Sequence, residues 1–229
     1  MRKLLLATTL VGLPFLPAHA VQILNDGQTS GSNTVIATEN ASMTATTISI
    51  VDAVVSIAQI DATPVILTPL NAFVDLTATS IDAATGVGAS GLLQHYSGTF
   101  SITSGAGGTG INYLSGSFTD AAFGLATGDQ LSVNIANPPD TLVMSSAVGL
   151  PTAAPSSLTF ALSNLVSSAP FTGGLQADTR GATATIAPFT ASFTDTADAN
   201  AVATPEPGSI LLLTSGLLGM GVLGFLRRT

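Results

Sequence analysis

Between Gln94 and Ile102 every second residue belongs to one face. Gln94, Tyr96, Gly98, Phe100 and Ile102 alternate with His95, Ser97, Thr99, Ser101 and Thr103, the period of an antiparallel strand covered on one side and wet on the other. A glycine-rich turn from Ser104 to Gly110 follows, and Asn112, Leu114, Gly116 and Phe118 carry the returning strand of a hairpin. The two-residue period recurs at Leu131, Val133 and Ile135, at Leu158, Phe160 and Leu162, at Ala182, Ala184 and Ile186, and at Phe189, Ala191 and Phe193. Turn signals such as Asn137-Pro138-Pro139-Asp140 and Gly173-Gly174 separate these runs. Upstream, Val21 to Leu24, Val35-Ile36 and Leu70 to Ile81 read as further strands.

Residues 41–60 admit two readings: Ile48, Val51, Val55 and Ala58 would line one face of a helix, whereas the density of Thr, Ile and Val favours strands, the reading adopted. The fold class expected is all-β, an antiparallel β-sandwich. The phenylalanines that recur in similar strand sequences, Phe100, Phe118, Phe160 and Phe193, lie 18, 42 and 33 residues apart, which is not the fixed short period of a β-helix.

Both ends differ from this body. Met1-Arg2-Lys3 is followed by an uncharged apolar run from Leu4 to Pro17 and by Ala18-His19-Ala20, the charged start, apolar middle and small-x-small site of a secretory signal peptide, residues 1–20, cleaved after Ala20 by signal peptidase. Asp195 to Ala203 is alanine-rich and is expected to be a linker, so that the sandwich body covers 21–194 and the linker 195–203. Gly208 to Leu226 is an uncharged stretch of 19 residues; as a helix at about 1.5 Å per residue it spans roughly 28 Å, enough for a bilayer's hydrocarbon core. Arg227 and Arg228 behind it fit the cytoplasmic side, which places the body across the inner membrane.

The prolines of Pro205-Glu206-Pro207 restrict the backbone and keep this segment extended rather than helical. The triplet, the apolar span behind it and the terminal arginine pair together resemble the PEP-CTERM sorting signal of Gram-negative bacteria, over residues 204–229, although Thr204 stands where that family usually has Val. The resemblance implies a sorting motif at Pro205, Glu206, Pro207, Arg227 and Arg228, processing by the membrane protease exosortase, and release to the cell envelope, surface or extracellular space. The residues alone also allow a plain single-span anchor with a proline-containing hinge.

Charge narrows the partners. Once the ends are set aside, Arg180 is the sole cation of residues 21–206 against 13 acids, a net charge of −12. Such a surface repels phosphate backbones, so no nucleic acid is expected as a partner. The chain has no cysteine, so an exported body must rest on burial and strand pairing without disulfides.

The motifs of cofactor and catalytic chemistry are weak. Gly86 to Gly91 and Gly105 to Gly110 match a dinucleotide-type glycine pattern, but both lead into strand-like sequence instead of a helix, so no cofactor is expected. His95 is the body's only histidine and no Gly-x-Ser-x-Gly elbow is present, which leaves no catalytic residues to name. Asp195, Asp198 and Asn200, or Asn137 with Asp140, are better read as solvated turn residues than as a calcium loop, so no metal is expected. Tyr96, Tyr113 and the outward Ser, Thr and Asn rows offer sugar contacts, although Tyr96 shares a face with Phe100 and Ile102 and reads as core.

The function expected is that of a non-enzymatic, exported and exosortase-processed envelope or matrix protein, structural or adhesive, which the sorting-signal resemblance links to exopolysaccharide and biofilm. A carbohydrate-binding module is the alternative, and a secreted hydrolase a third.

Overall fold

The computed structural model describes residues 20–29, 34–60, 63–64, 70–86, 91–153 and 155–200. The described part of the chain is all-β and antiparallel. Its strands are β1 (Ala20–Gln28), β2 (Val35–Glu39), β3 (Thr46–Ile60), β4 (Thr63–Pro64), β5 (Leu70–Ser80), β6 (Leu93–Gly105) and β7 (Thr109–Gly124). A short 3-10 turn, Leu125–Thr127, leads to β8 (Gln130–Asn134), β9 (Thr141–Ser145), β10 (Pro155–Ser167), β11 (Ala177–Asp178), β12 (Thr185–Ile186) and β13 (Phe189–Asn200).

The hydrogen-bonded order β13-β10-β8-β7-β6-β5-β3 returns to β13 through β1 and β2, each of which pairs with both β3 and β13. β1 and β2 therefore fill one position end to end. β8 and β9 divide a position in the same way, β8 meeting β7 at Ala122 and β9 meeting it from Ser115 to Thr119. The described strands thus form a closed barrel of eight strand positions, not the expected sandwich. Closure leaves little free edge among the described strands, chiefly that of the short β9, which pairs with β7 alone, and this suits a body with almost no cationic side chains to guard one.

Bulges explain the closure. Asp52, Asp120 and Asn164 have φ of 48°, 63° and 52°, the left-handed region that Asp and Asn tolerate better than β-branched residues. At each of them the strand register slips: β3 between Ile50 and Ala53, β7 opposite Tyr96 and Gly98, and β10 between Ser163 and Val166. The inward set changes phase accordingly, from Ile48 and Ile50 to Ala53, Val55 and Ile57 in β3, and from Phe118 to Ala121 and Phe123 in β7. A bulge bends its strand and increases local twist, so three long strands turn a corner where straight ones would have stacked as two layers.

The interior is filled. Tyr96, Phe123 and Phe189 form one aromatic layer, with centroids 6.1 and 5.5 Å apart, and Phe100, Phe160 and Phe193 another, both spacings 6.2 Å. Aliphatic side chains from every wall, among them Leu24, Ile48, Val74, Ile102, Leu131 and Leu158, pack around them. Gly116 lies opposite Phe100, and a Cβ there would stand 2.1 Å from the Val143 carbonyl oxygen and 2.9 Å from the Phe100 ring, so the glycine is what lets β9 and the ring approach.

The hairpin expected at 94–118 is present as β6 and β7, and the Gly105 to Gly110 pattern is its turn. The linker expected from Asp195 is strand as far as Asn200, because 194–200 pairs with β1 and 195–199 with β10. Residues 201–203 of that linker, the sorting signal and the span 208–226 lie outside the described residues, as do residues 1–19 of the signal peptide. Among the described residues no helix is long and apolar enough to cross a membrane.

Candidate functional site

Three groupings of polar side chains stand out from the core: an outer face of hydroxyls, a plug held by the body's one arginine, and a buried acid pair.

The hydroxyl face follows from strand register. Alternation sends Ser49, Thr77, Thr99 and Ser117 outward, and pairing sets them side by side across β3, β5, β6 and β7, with exposed Ile36 and Val143 at the two ends of the row. Thr38, Thr47, Thr79 and Ser97 make a second row, and Asp75, Ser101, Ser115 and Ser145 a third. Neighbours bond across the strands, Thr47 to Thr79 at 3.1 Å, Ser115 to Ser145 at 3.0 Å and Thr119 to Thr141 at 2.6 Å. A shallow depression of about 150 Å³ opens on this face between β5 and β6, lined by Asp75, Thr77, Thr99 and Ser101. Uncharged hydroxyls that both donate and accept, at the 4.7 to 4.9 Å spacing of strands, suit hydrogen bonding to a hydroxylated polymer.

The plug is the segment 168–188 between β10 and β13. The Arg180 Nε–H donates to both oxygens of Asp178 at 2.9 Å, its Nη2 bonds Asp178 as well and reaches Glu39 at 3.2 Å, and its guanidinium lies 4.8 Å from the Phe171 ring. The Arg180 guanidinium, bonded to Asp178, holds that carboxyl down at about 2. Behind it, the Oε1 of buried Gln94 accepts from the Tyr96 hydroxyl (3.1 Å) and the Ile186 N–H (2.9 Å), and Gln94 Nε2 donates to the Asp82 carbonyl (2.8 Å). Thr46 adds a bond to the Ile186 carbonyl at 2.7 Å. This network ties the plug to β3 and β6.

The acid pair lies deeper. Asp26 and Asp195 face each other in register across β1 and β13, 2 % and 0 % exposed, and no hydrogen bond of full geometry reaches their four carboxyl oxygens; the backbone N–H groups of Asp195, beside Asp26, and of Thr196, beside Asp195, offset only part of the burial. Asp195 is the inward residue following Phe193 on β13 and lies opposite Phe160 of β10. Burial pushes the Asp26 carboxyl up to about 7, and burial together with the Asp26 charge pushes Asp195 well above the usual carboxylate range. Read as a solvated residue from its Ala- and Thr-rich surroundings, Asp195 is instead a fully buried one. The signal was its spacing, two beyond Phe193 on the inward face.

The remaining sequence candidates separate. His95 faces outward and pairs with Asp82 at 2.6 Å. Tyr96 and Tyr113 are buried and present no ring to a sugar. Asp140 caps its own turn by accepting from the Asn134 N–H at 3.0 Å, and Asp198 accepts from the Ser157 hydroxyl at 3.0 Å. Among the described residues no three His, Cys, Asp or Glu side chains converge as metal ligands. Ala20 is the first residue of β1 and pairs with Asn200, the last of β13. Ala18, Pro205, Glu206, Pro207, Arg227 and Arg228 lie outside the described residues. No protein family, curated protein or solved structure matches the chain.

Proposed function

We propose that the protein is an exported envelope or extracellular-matrix component, delivered by a signal peptide, held at the inner membrane by its tail, and released by an exosortase-type protease to act in a structural or adhesive role linked to exopolysaccharide. The observation that carries this reading is the succession of Pro205-Glu206-Pro207, the uncharged stretch 208–226 and Arg227-Arg228. The barrel is consistent with a passenger: its interior is filled with side chains, and its ends at Ala20 and Asn200 are neighbours.

Intact mass of the protein recovered from the surface or secreted fraction tests the proposal. The expected species begins at Val21 and lacks Gly208 to Thr229; a population that keeps the tail throughout overturns the processing step.

The hydroxyl rows favour a second reading, a carbohydrate-binding module whose ligand lies across β3, β5, β6 and β7. Binding to a panel of immobilised neutral polysaccharides separates the two. The hydrolase reading has no comparable support, since the acid pair Asp26 and Asp195 is closed off from solvent by Phe160, Phe193 and the strands around them.

A further inference from the structure

We propose that Asp26 and Asp195 form a proton-operated latch on the seam that closes the barrel: neutral, the pair leaves β1 seated between β3 and β13, and ionised, it drives β1 out of that slot. The geometry supplies the argument. Two carboxyl groups directly opposite on adjacent antiparallel strands have their Cβ atoms about 5 Å apart. Here both are enclosed, no side-chain donor reaches either, and the nearby backbone N–H groups of Asp195 and Thr196 make no hydrogen bond of full geometry to them. A single buried carboxylate without a donor is costly, and two like charges at that distance add repulsion. Only protons carried by the pair itself satisfy it.

Among the described residues no charged side chain offsets the pair. On β13 the other acid, Asp198, is turned to Ser157, and on β3 Asp52 is turned to the Gly107 N–H. β10 has no titratable side chain. On β2, Glu39 is bonded to Thr185 and Arg180, and that arginine is committed to the plug. The raised carboxyl values described above agree with this enclosure. The sign is that of an acid neutralised by folding: its contribution is intact below the ordinary value of 3.8 and is withdrawn as pH rises through about 7.

The seam yields at β1 and not elsewhere, for a topological reason. β13 keeps a long partner in β10, from Pro155 to Ser167. β2 occupies the other end of the same slot and goes on bridging β3 to β13 through Val35 to Ala37. Release of β1 therefore uncovers residues 55–60 of β3 and 194–200 of β13 while the plugged half of the barrel stays closed. The response is local strand release and not global unfolding.

Amide hydrogen exchange of the full chain in mild detergent, read by mass spectrometry peptide by peptide, tests the latch. After correction for intrinsic exchange, peptides covering 20–28 and 194–200 are expected to lose at least about tenfold protection between about pH 5 and about pH 9, while 35–39 and 114–118 keep theirs. The double variant Asp26→Asn, Asp195→Asn is expected to abolish that difference. Should the double variant not fold, the infrared carbonyl band of a buried protonated carboxyl, expected in the wild type at neutral pH and lost in Asp195→Asn, provides the second readout. The latch is overturned by pH-independent protection at 20–28, by a pH response that survives the double substitution, by absence of the infrared band, or by calcium alone restoring full protection at about pH 9, which would make the pair a cation site.

Discussion

Arg180 bonds Glu39 at 3.2 Å across a sequence separation of 141 residues, and through that contact the only cation among the described residues fastens the plug to the end of β2. Arg180→Met keeps the length of the side chain and leaves buried Asp178 without its partner. The substitution is expected to cost about 1 to 3 kcal/mol in urea unfolding and to open 168–188 to limited proteolysis before the barrel strands.

Stability is expected to have two limbs in pH. Asp178, held low by Arg180, contributes fully above its ordinary value of 3.8 and loses that contribution as pH falls through about 2. The Asp26 and Asp195 pair acts with the opposite sign, being fully favourable below 3.8 and withdrawn as pH rises through about 7. The maximum in urea midpoint is therefore expected at about pH 4 to 5. Arg180→Met flattens the acid limb and Asp26→Asn the neutral one. Denaturation series across pH check both.

The left-handed bulge positions respond to side-chain shape. Asp120→Gly is expected to be tolerated within about 0.5 kcal/mol, whereas Asp120→Val is expected to cost about 1 to 2 kcal/mol, because a β-branched residue resists φ of 63°. Thermal unfolding of the two variants side by side measures the contrast, and an equal loss in both would remove the bulge as the reason for Asp at this position.

A Cβ at residue 116 has nowhere to go between Val143 and Phe100. Gly116→Ala is expected to destabilise by about 1 to 3 kcal/mol. Gly128→Ala serves as its comparison: a Cβ there meets open space, so its cost is that of the positive φ alone.

If the hydroxyl rows bind polysaccharide, Thr77→Lys with Thr99→Lys is expected to abolish retention on the polymer while changing stability by less than about 0.5 kcal/mol, since both side chains are exposed. Retention unchanged in this double variant would exclude the face.

Much of the fold was legible because alternation and turn chemistry act locally. The hairpin of β6 and β7, the core roles of Phe100, Phe118 and Phe193, and the outward Ser and Thr rows all follow from residue order. Of the helix-like set Ile48, Val51, Val55 and Ala58, the bulge at Asp52 brings Ile48 and Val55 onto the same inward face seven residues apart, while Val51, 73 % exposed, and Ala58 face outward. An Asp or Asn inside a run of Thr, Val and Ala, at 52, 120 and 164, was the mark of a corner, and it separates a barrel from a sandwich. The acid pair was illegible for another reason. Asp26 and Asp195 meet through pairing between the first and last strands, a long-range register that no local pattern encodes, and the same holds for Arg180 with Glu39.

If the chain is exported amino end first, as proposed, the pairing of Ala20 with Asn200 sets an order of events. β1 would emerge earliest and meet β3 soon after, yet find its other neighbour, β13, last, because β13 must follow before the ring can shut. Until then the ring would stay open beside Ile23 and Leu24, and the last hydrogen bonds of the body would form at residues 194–200.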